Sequence, residues 1–345
     1  MAGNRNEIKW NRLRGGTETV GYRACTRESE TLEFRLPTMG QMEMAAVSSN
    51  RDAAMRLHGP QARSSGTRHS YLGWIVVALF TLVSLPAQSH DLKEETLAGW
   101  DDYISSACLR GEASAKRTPF LHINELPERK RQVQAGETVV WRESDCHPAK
   151  VPHGLIHDWA GAVFIPKATI ADALAVVRDY DHYPEIYTPA VVEANRLGSE
   201  ENNDRFSMLL TEKVLFVTAA LQGEYETHYV EVDAKRWYSI SRSIRLQSIE
   251  NYGQPDMRAL PPDRGPGYVW RLCSFAKFEE NDGGVYIELE ALGLSRDVPM
   301  MVRWLVDPVV EHLPRNSLQA TLDKTRNAVL AKINREDLTS KLNAR

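Results

Sequence analysis

The amino-acid sequence predicts an α+β fold in which a curved antiparallel sheet wraps around a long C-terminal helix. Residues 157–165 alternate in polarity as a strand does, and a short helical pattern follows at once. Six further segments between residues 191 and 292 also have strand periodicity. From Arg315 onward the period becomes helical, with apolar residues on one stripe at Leu318, Leu322, Val329 and Ile333.

The first element along the chain is an uncharged apolar run of 15 residues at 71–85, YLGWIVVALFTLVSL. A membrane-spanning helix needs roughly 20 apolar residues, whereas the apolar core of a signal peptide needs about 7 to 15. Small residues at Ala87 and Ser89 fit a cleavage site before His90. We therefore predict a signal peptide at 55–89, with an uncleaved N-terminal anchor as the alternative, and export to the periplasm or cell envelope.

The stretch before this leader is polar and lacks periodic structure. Met55 followed by Arg56 would begin a conventional signal peptide. Residues 1–54 are therefore predicted to be a disordered extension or the product of a gene start placed too far upstream.

Composition and charge narrow the range of partners. Hydrophobic residues make up 42% of the chain and charged residues 26%, which is typical of a soluble globular protein. The formal net charge is −4, and removal of the arginine-rich leader makes the protein more acidic. Nucleic acid is therefore not an expected partner, and membrane contact is expected only through an uncleaved anchor.

Residues 90–152, which we call the prelude, are predicted to hold one helix and short strands. Residues 94–108 place Leu97, Trp100, Ile104 and Cys108 at helical spacing. Residues 120–141 are predicted to form a short strand pair, in which 138–141 is the stronger strand.

The cysteines are compatible with export. Cys108 and Cys146 lie in the prelude and are candidates for a disulfide in an oxidising compartment. Cys273 lies in a predicted strand, where a small buried thiol is expected. The sequence does not establish the pairing.

Residues 153–335 are predicted to form the main domain. Pro166 ends the first strand, and Thr169 caps the short helix that follows. Strands are predicted at 191–197, 205–217, 219–230, 237–250, 268–279 and 285–292. Residues 251–267, rich in proline and glycine, form a loop. A helix at 298–306 is expected to be interrupted by Pro308 and Pro314 before the long C-terminal helix begins, and residues 336–345 are a tail.

Two segments resemble a known superfamily. Residues 176–187, VVRDYDHYPEIY, are similar to the helix-to-strand corner of START-like domains, also called SRPBCC, and residues 314–330 are similar to their gripping helix. This superfamily includes polyketide cyclases, coenzyme Q-binding proteins and lipid-transfer domains. The resemblance covers 157–330, roughly half of the chain, and implies a helix-grip fold with a cavity between sheet and helix. The matching motifs are structural, so they imply the fold more strongly than the function.

Strand parity provides candidates for the lining of that cavity. Glu212 and Arg242 each fall among apolar residues of their strands. Because a buried charge is costly unless paired, these two residues face each other, hold the polar end of a ligand, or mark an exposed face of the sheet. Tyr225, Trp270 and Trp304 are predicted to border the cavity, with an ordinary place in the core as the alternative.

No catalytic residue, metal site or cofactor is predicted. His153 and His157 have helical spacing, but a proline and a glycine in the same stretch oppose a helix there. His182 beside Asp181 lies in a turn, where exposure is expected. No phosphate-binding glycine loop, dinucleotide fingerprint or nucleophile-elbow motif occurs in the sequence.

The sequence therefore predicts a domain that binds or transfers an apolar small molecule, a lipid or a quinone. One alternative is a cyclase- or dehydratase-type enzyme using the same cavity, in which a carboxylate or histidine moves a proton. A second alternative is an envelope domain that binds a protein partner and no ligand.

Overall fold

A computed structural model describes residues 90–144, 148–214, 217–297 and 300–343, with residues 214, 217, 300–311 and 343 described without their side chains. The predicted extension at 1–54, the predicted leader at 55–89 and Cys146 lie outside the described residues. Within the part of the chain described, no helix is long and apolar enough to cross a membrane.

The prelude contains two helices and three short strands. Its elements are β1 (His90–Asp91), α1 (Glu94–Ala115), α2 (Pro127–Gln134), β2 (Val139–Arg142) and β3 (Ala149–Val151). The predicted helix at 94–108 is confirmed, and it continues to Ala115 because Gly111 and Ala115 extend its buried stripe.

The predicted strand near residue 120 is wrong. The chain forms a 3₁₀ turn at His122–Glu125 and then α2, which starts with Pro127 at a position where proline favours a helix. The second predicted strand is confirmed as β2, but it pairs with β4 of the main domain. The prelude therefore contributes an edge strand to the main sheet.

The main domain follows the predicted order. The long strand β4 (Gly154–Pro166) leads to α3 (Ile170–Val177) and the one-turn helix α4 (Tyr183–Ile186). The side chain of Thr169 accepts a hydrogen bond from the backbone of Asp172, whose carboxylate accepts one from the backbone of Thr169. This reciprocal capping box confirms the predicted helix start.

Eight strands follow, six of them long. They are β5 (Val191–Glu200), β6 (Asn203–Val214), β7 (Val217–Asp233), β8 (Arg236–Glu250), β9 (Arg258–Ala259), β10 (Arg264–Gly265), β11 (Arg271–Asn281) and β12 (Gly284–Arg296). The six predicted strands are confirmed as β5 to β8, β11 and β12. The main sheet is antiparallel in the order β2, β4, β12, β11, β8, β7, β6, β5, while β3 pairs with β4 and β9 with β8.

One face of this sheet packs against the C-terminal helix α5 (Met300–Asn343), and we call it the grip face. Val163 of β4 lies opposite Ile287 of β12, which lies opposite Phe278 of β11. These three residues form an apolar cluster with Leu318 and Leu322 of α5. The stripe predicted on the C-terminal helix is thus the contact with the sheet.

The other face, which we call the outer face, is covered by α1. Phe275 and Leu292, whose parity is opposite to that of Phe278 and Ile287, pack with Trp100 and Ile104 of α1. The sheet is therefore sandwiched between a helix of the prelude and the C-terminal helix.

The predicted interruption of the C-terminal helix is wrong, since α5 runs through Pro308 and Pro314 to Asn343. A proline removes one backbone hydrogen bond and disfavours a helix interior, yet the flanking turns keep their own bonds. The stripe that begins at Leu318 is buried against the sheet, which holds the helix in place. Residues 336–343, predicted as a tail, form its last turns.

Candidate ligand-binding site

The register of the sheet identifies a row of small side chains across the grip face. Ser241 of β8 lies opposite Ser274 of β11, which lies opposite Ala291 of β12. Ala291 in turn lies opposite Trp159 of β4, whose ring belongs to the cluster around α5. The centre of the row therefore carries three small side chains, with a bulky ring at one end.

The neighbouring row is less open. Ser243 lies opposite Tyr225 and Gly293 lies opposite His157, but Leu272 of β11 lies between Ser243 and Gly293. Ser241, Ser243, Ser274, Ala291 and Gly293 are all partly exposed, although they lie in central strands. Small side chains in the middle of a face leave space that larger ones would fill, so we infer a recess here and call these five residues its floor.

A stack of aromatic rings borders this recess on the side of β6 and β7. Phe206 lies directly opposite Tyr225, and their ring centroids are 5.2 Å apart. Tyr180, from the corner after α3, stacks on the other side of Phe206 at 4.1 Å. All three rings are buried together with Leu246. The aromatic corner recognised in the sequence thus forms one wall of the recess.

The hydroxyl of Tyr225 has no hydrogen-bond partner among the described residues. The residue is 4% exposed, and its Oη atom is fully buried. The ring lies across Gly223, where a Cβ would stand 2.5 Å from Oη. Burial raises the pKa of Tyr225, which keeps the hydroxyl protonated and able to donate. Tyr225 therefore presents a desolvated donor beside the recess.

The neighbouring polar cluster is internally satisfied. Asp204 is fully buried and accepts hydrogen bonds from Nε of Arg178 at 2.9 Å, from the hydroxyl of Tyr180 at 3.0 Å and from Ser199 at 2.6 Å. Burial raises the pKa of Asp204, but the hydrogen bonds from Arg178 and Ser199 outweigh it and hold the pKa below its usual range. This cluster fixes the corner and leaves no free group for a ligand.

Two of the predicted lining residues, Glu212 and Tyr225, lie on the grip face. Glu212 has the same parity as Phe206 along β6 and pairs with Ala219. It is partly buried, and this burial raises its pKa. Contact of Glu212 and Tyr225 with a ligand stays a prediction.

Arg242, predicted to line the cavity from strand parity, and Trp270, predicted to border it as an aromatic residue, both lie on the outer face. Arg242 lies opposite Cys273, on the outer face, and its Nη2 donates to Sγ of Cys108 on α1 at 2.9 Å. Trp270 packs in the same outer-face cluster as Trp100 of α1. Glu212 and Arg242 therefore lie on opposite faces of the sheet, so they do not face each other.

Arg242 has the parity of Tyr238 and Ile240, which pack on the outer face, so the apolar side of this part of β8 faces α1. Further along, β8 contains an irregularity. Ser243 pairs with Tyr225 and Arg245 with Glu224, so Ile244 is left without an opposite residue. A bulge of this kind reverses the alternation of the strand. Leu246 consequently reaches the grip face, whereas Arg242, four residues earlier, reaches the outer face. The side chain of Trp304 lies outside the described residues.

His157 is a grip-face residue that the sequence argument did not assign to the site. It is 7% exposed, and its Nε2 is 3.0 Å from Oγ of Ser295. Burial lowers its pKa to about 4, so the imidazole is neutral at pH 7. The sequence signal for His157 was its alternation with Trp159, and the signal for the floor was the alternation of Ser241 and Ser243.

Three other features considered in the sequence are the turn histidine His182, a metal site and the pairing of Cys108. His182 is exposed and bonded to Asp179 at 2.8 Å, which raises its pKa. Among the described residues no group of histidine, cysteine or acidic side chains could hold a metal ion. The predicted partner of Cys108, Cys146, lies outside the described residues, and Cys108 and Cys273 are free thiols.

No family model and no curated protein match the chain. Among solved structures, the chain is similar to a STAR-related lipid transfer protein from Xanthomonas axonopodis, with 15% identity and a TM-score of 0.36 over 56% of this chain and 98% of that one. It is also similar to the Zhui aromatase/cyclase from Streptomyces, with 13% identity and a TM-score of 0.35 over 52% and 96%. For human STARD10 the values are 10% identity and a TM-score of 0.34 over 62% and 82%.

The predicted fold is confirmed. The chain has a helix-grip arrangement, since a large antiparallel sheet carries the C-terminal helix along one face.

Proposed function

We propose that this protein binds an apolar small molecule in the recess on the grip face and acts as a carrier for it. The observation that carries the proposal is the buried hydroxyl of Tyr225, which lacks a partner among the described residues beside a floor of small side chains. A binding site for an apolar ligand combines apolar walls with a few directing polar groups. The recess has this composition.

The energetics favour a ligand with one uncharged acceptor. A buried donor without a partner costs about 1–3 kcal/mol, which a carbonyl or ether oxygen of a ligand would recover. The recess is bordered by the buried rings of Phe206, Tyr225 and Trp159, and each Å² of apolar surface that a ligand buries there contributes about 25 cal/mol. A quinone or the carbonyl region of a lipid has this chemistry.

Native mass spectrometry of the protein purified from its own envelope tests the proposal. We expect one lipid or quinone for each protein molecule. A protein that is empty and takes up nothing from a total lipid extract would contradict the carrier function.

Variants locate the ligand. Ser274→Leu fills the floor of the recess and is expected to abolish uptake, whereas the matched change Ser105→Leu on the exposed side of α1 leaves uptake intact. Tyr225→Phe removes only the donor and is expected to weaken binding about 5- to 100-fold. Equal uptake by all three variants would place the ligand elsewhere.

A second candidate function is a proton-transfer enzyme of the cyclase or dehydratase type. Its support is the neutral imidazole of His157 on the same face as the recess, together with the raised pKa of Glu212. If a substrate is found, Glu212→Gln and His157→Asn should each reduce kcat. Unchanged turnover in both variants would remove the proposed bases and leave the carrier function.

We further propose that the protein is exported to the cell envelope. The support is the apolar run at 71–85 with small residues before His90. Cell fractionation with N-terminal sequencing tests this proposal: a mature protein that starts at His90 indicates cleavage, and an intact chain in the membrane fraction indicates an anchor. A cytosolic chain that retains residues 1–54 would contradict both export and the proposed later start.

A further inference from the structure

The outer face of the sheet brings two cysteines together beneath α1. Cys108 lies on α1 and Cys273 on β11, and both belong to the apolar cluster between helix and sheet. The two thiols are close enough for each to shift the pKa of the other. They are separated by more than 160 positions in the sequence, so only the docking of α1 makes them neighbours.

A guanidinium group completes the arrangement. Arg242 lies directly opposite Cys273 on the neighbouring strand, and its Nη2 donates to Sγ of Cys108 at 2.9 Å. A positive group in contact with a thiol favours the thiolate, which is the form that reacts with oxidants and disulfides. The contact therefore prepares one sulfur of the pair for reaction.

The two thiols differ in pKa and in exposure, as a two-step oxidation requires. The interaction with Cys273 and the charge of Arg242 lower the pKa of Cys108 to about 6, whereas the interaction with Cys108 and burial raise the pKa of Cys273. Cys108 is partly exposed, so a small oxidant can reach it, and Cys273 is buried behind it. Cys108 is thus suited to attack, and Cys273 to resolve the product.

We propose that Cys108 and Cys273 form a peroxide-sensitive thiol pair, whose oxidation to a disulfide fixes α1 covalently to the sheet. The Cys108 thiolate attacks one oxygen of hydrogen peroxide, the O–O bond breaks, and a sulfenic acid forms as hydroxide leaves and takes up a proton. The sulfur of Cys273 then attacks the sulfenic sulfur, the S–O bond breaks, and a second water leaves with the Cys273 proton. Together the two thiols lose two electrons, and one hydrogen peroxide is reduced to two waters.

This pair is independent of the proposed ligand site. The thiols lie on the outer face, whereas the recess lies on the grip face. The inference therefore survives if the recess proves empty, and the carrier function survives if the thiols prove inert.

Peptide mapping of the full chain under non-reducing conditions tests the inference. After treatment with one equivalent of hydrogen peroxide, we expect a Cys108–Cys273 linked peptide, and its recovery should be unchanged in Cys146→Ser. Cys273→Ser should instead accumulate a sulfenic or sulfinic acid on Cys108. A Cys108–Cys146 link in the wild type, or two free thiols after oxidation, would overturn the proposal.

Thermal unfolding gives a second readout, in which the oxidised and reduced forms of the wild type are compared. The disulfide closes a long loop, and we expect the oxidised wild type to melt about 10 °C above the reduced protein. Reduction with dithiothreitol should reverse the shift, and Cys273→Ser should show none. Equal melting temperatures of the oxidised and reduced wild type would contradict a disulfide between helix and sheet.

Discussion

The clearest prediction concerns two buried carboxyl groups under α1. Asp158 of β4 accepts a hydrogen bond from the hydroxyl of Tyr103 on α1 at 2.7 Å, and Glu290 of β12 lies on the same face of the sheet. Burial is the main cause that raises the pKa of Asp158 to about 6 and that of Glu290 to about 8. The negative charge of Asp158 raises the pKa of Glu290 further, whereas the interaction with Glu290 lowers the pKa of Asp158. We predict that Glu290→Gln stabilises the protein at neutral and alkaline pH.

The sign follows from the protons bound in each state. A carboxyl group with a raised pKa in the folded protein holds its proton more tightly there than in the unfolded chain. Below pH 4.5 both states are protonated, so Glu290 carries no penalty. As the pH rises to about 8, the unfolded chain has lost this proton and the folded protein still holds it, so stability falls.

The magnitude follows from the pKa shift of Glu290. A pKa raised from 4.5 to about 8 corresponds to a ceiling of about 5 kcal/mol. Water entry and side-chain relaxation reduce this ceiling, so we expect a gain of about 2–3 kcal/mol for Glu290→Gln at pH 8. Glutamine and protonated glutamate are both uncharged and similar in size, so the variant should match the wild type near pH 4.5.

Urea unfolding of both proteins at several pH values between 4.5 and 8.5 measures this difference. Glu231→Gln, at an exposed position of β7, is the control and should show no such trend. A Glu290→Gln curve parallel to that of the wild type across this range would refute the account of the carboxyl pair. If Glu290→Gln loses stability relative to the wild type as the pH rises, the predicted sign of the effect is wrong.

Three further predictions concern packing and the polar corner, and urea unfolding measures each. Gly111→Ala places a Cβ 2.8 Å from the ring of Phe275 and should cost about 1–2 kcal/mol, whereas a gain in stability, as at an open helix position, would contradict the close contact. Leu322→Ala opens a cavity under α5 and should cost about 2–5 kcal/mol, so a change below 1 kcal/mol would indicate that the helix is not docked. Asp204→Asn should cost about 2–3 kcal/mol of unfolding free energy at pH 7. The cost should decrease as the pH falls through the lowered pKa of Asp204, because the carboxylate stabilises the fold only while it is ionised. A cost independent of pH would contradict the ion pair with Arg178.

Much of the fold follows from local patterns in the sequence. The strand at 157–165, the helix cap at Thr169 and the stripe at Leu318 and Leu322 were all predicted. Each depends on neighbours within one or two turns or along one strand, so the sequence alone contains the necessary information.

The residues that line the site were predicted less well from the sequence, because the face on which a side chain lies depends on the register of the whole sheet. The apolar side of β8 that carries Arg242 faces α1, and a bulge near Ile244, which nothing in the local alternation marks, brings only Leu246 to the grip face. Trp270 was predicted to line the cavity but packs on the outer face, just before β11 begins at Arg271. The small residues of the floor were visible in the sequence, but their significance appeared only when β8, β11 and β12 were aligned.

The sequence by itself determined the order of the elements, the class of the fold and the apolar stripe of the gripping helix, because these depend on local periodicity and on capping. Only the tertiary structure decided which charges share a face, that α1 covers the outer face, and that Cys108 meets Cys273. These features arise from contacts between residues far apart in the chain, and the physical cost of burying a charge or a hydroxyl is defined only once those contacts form.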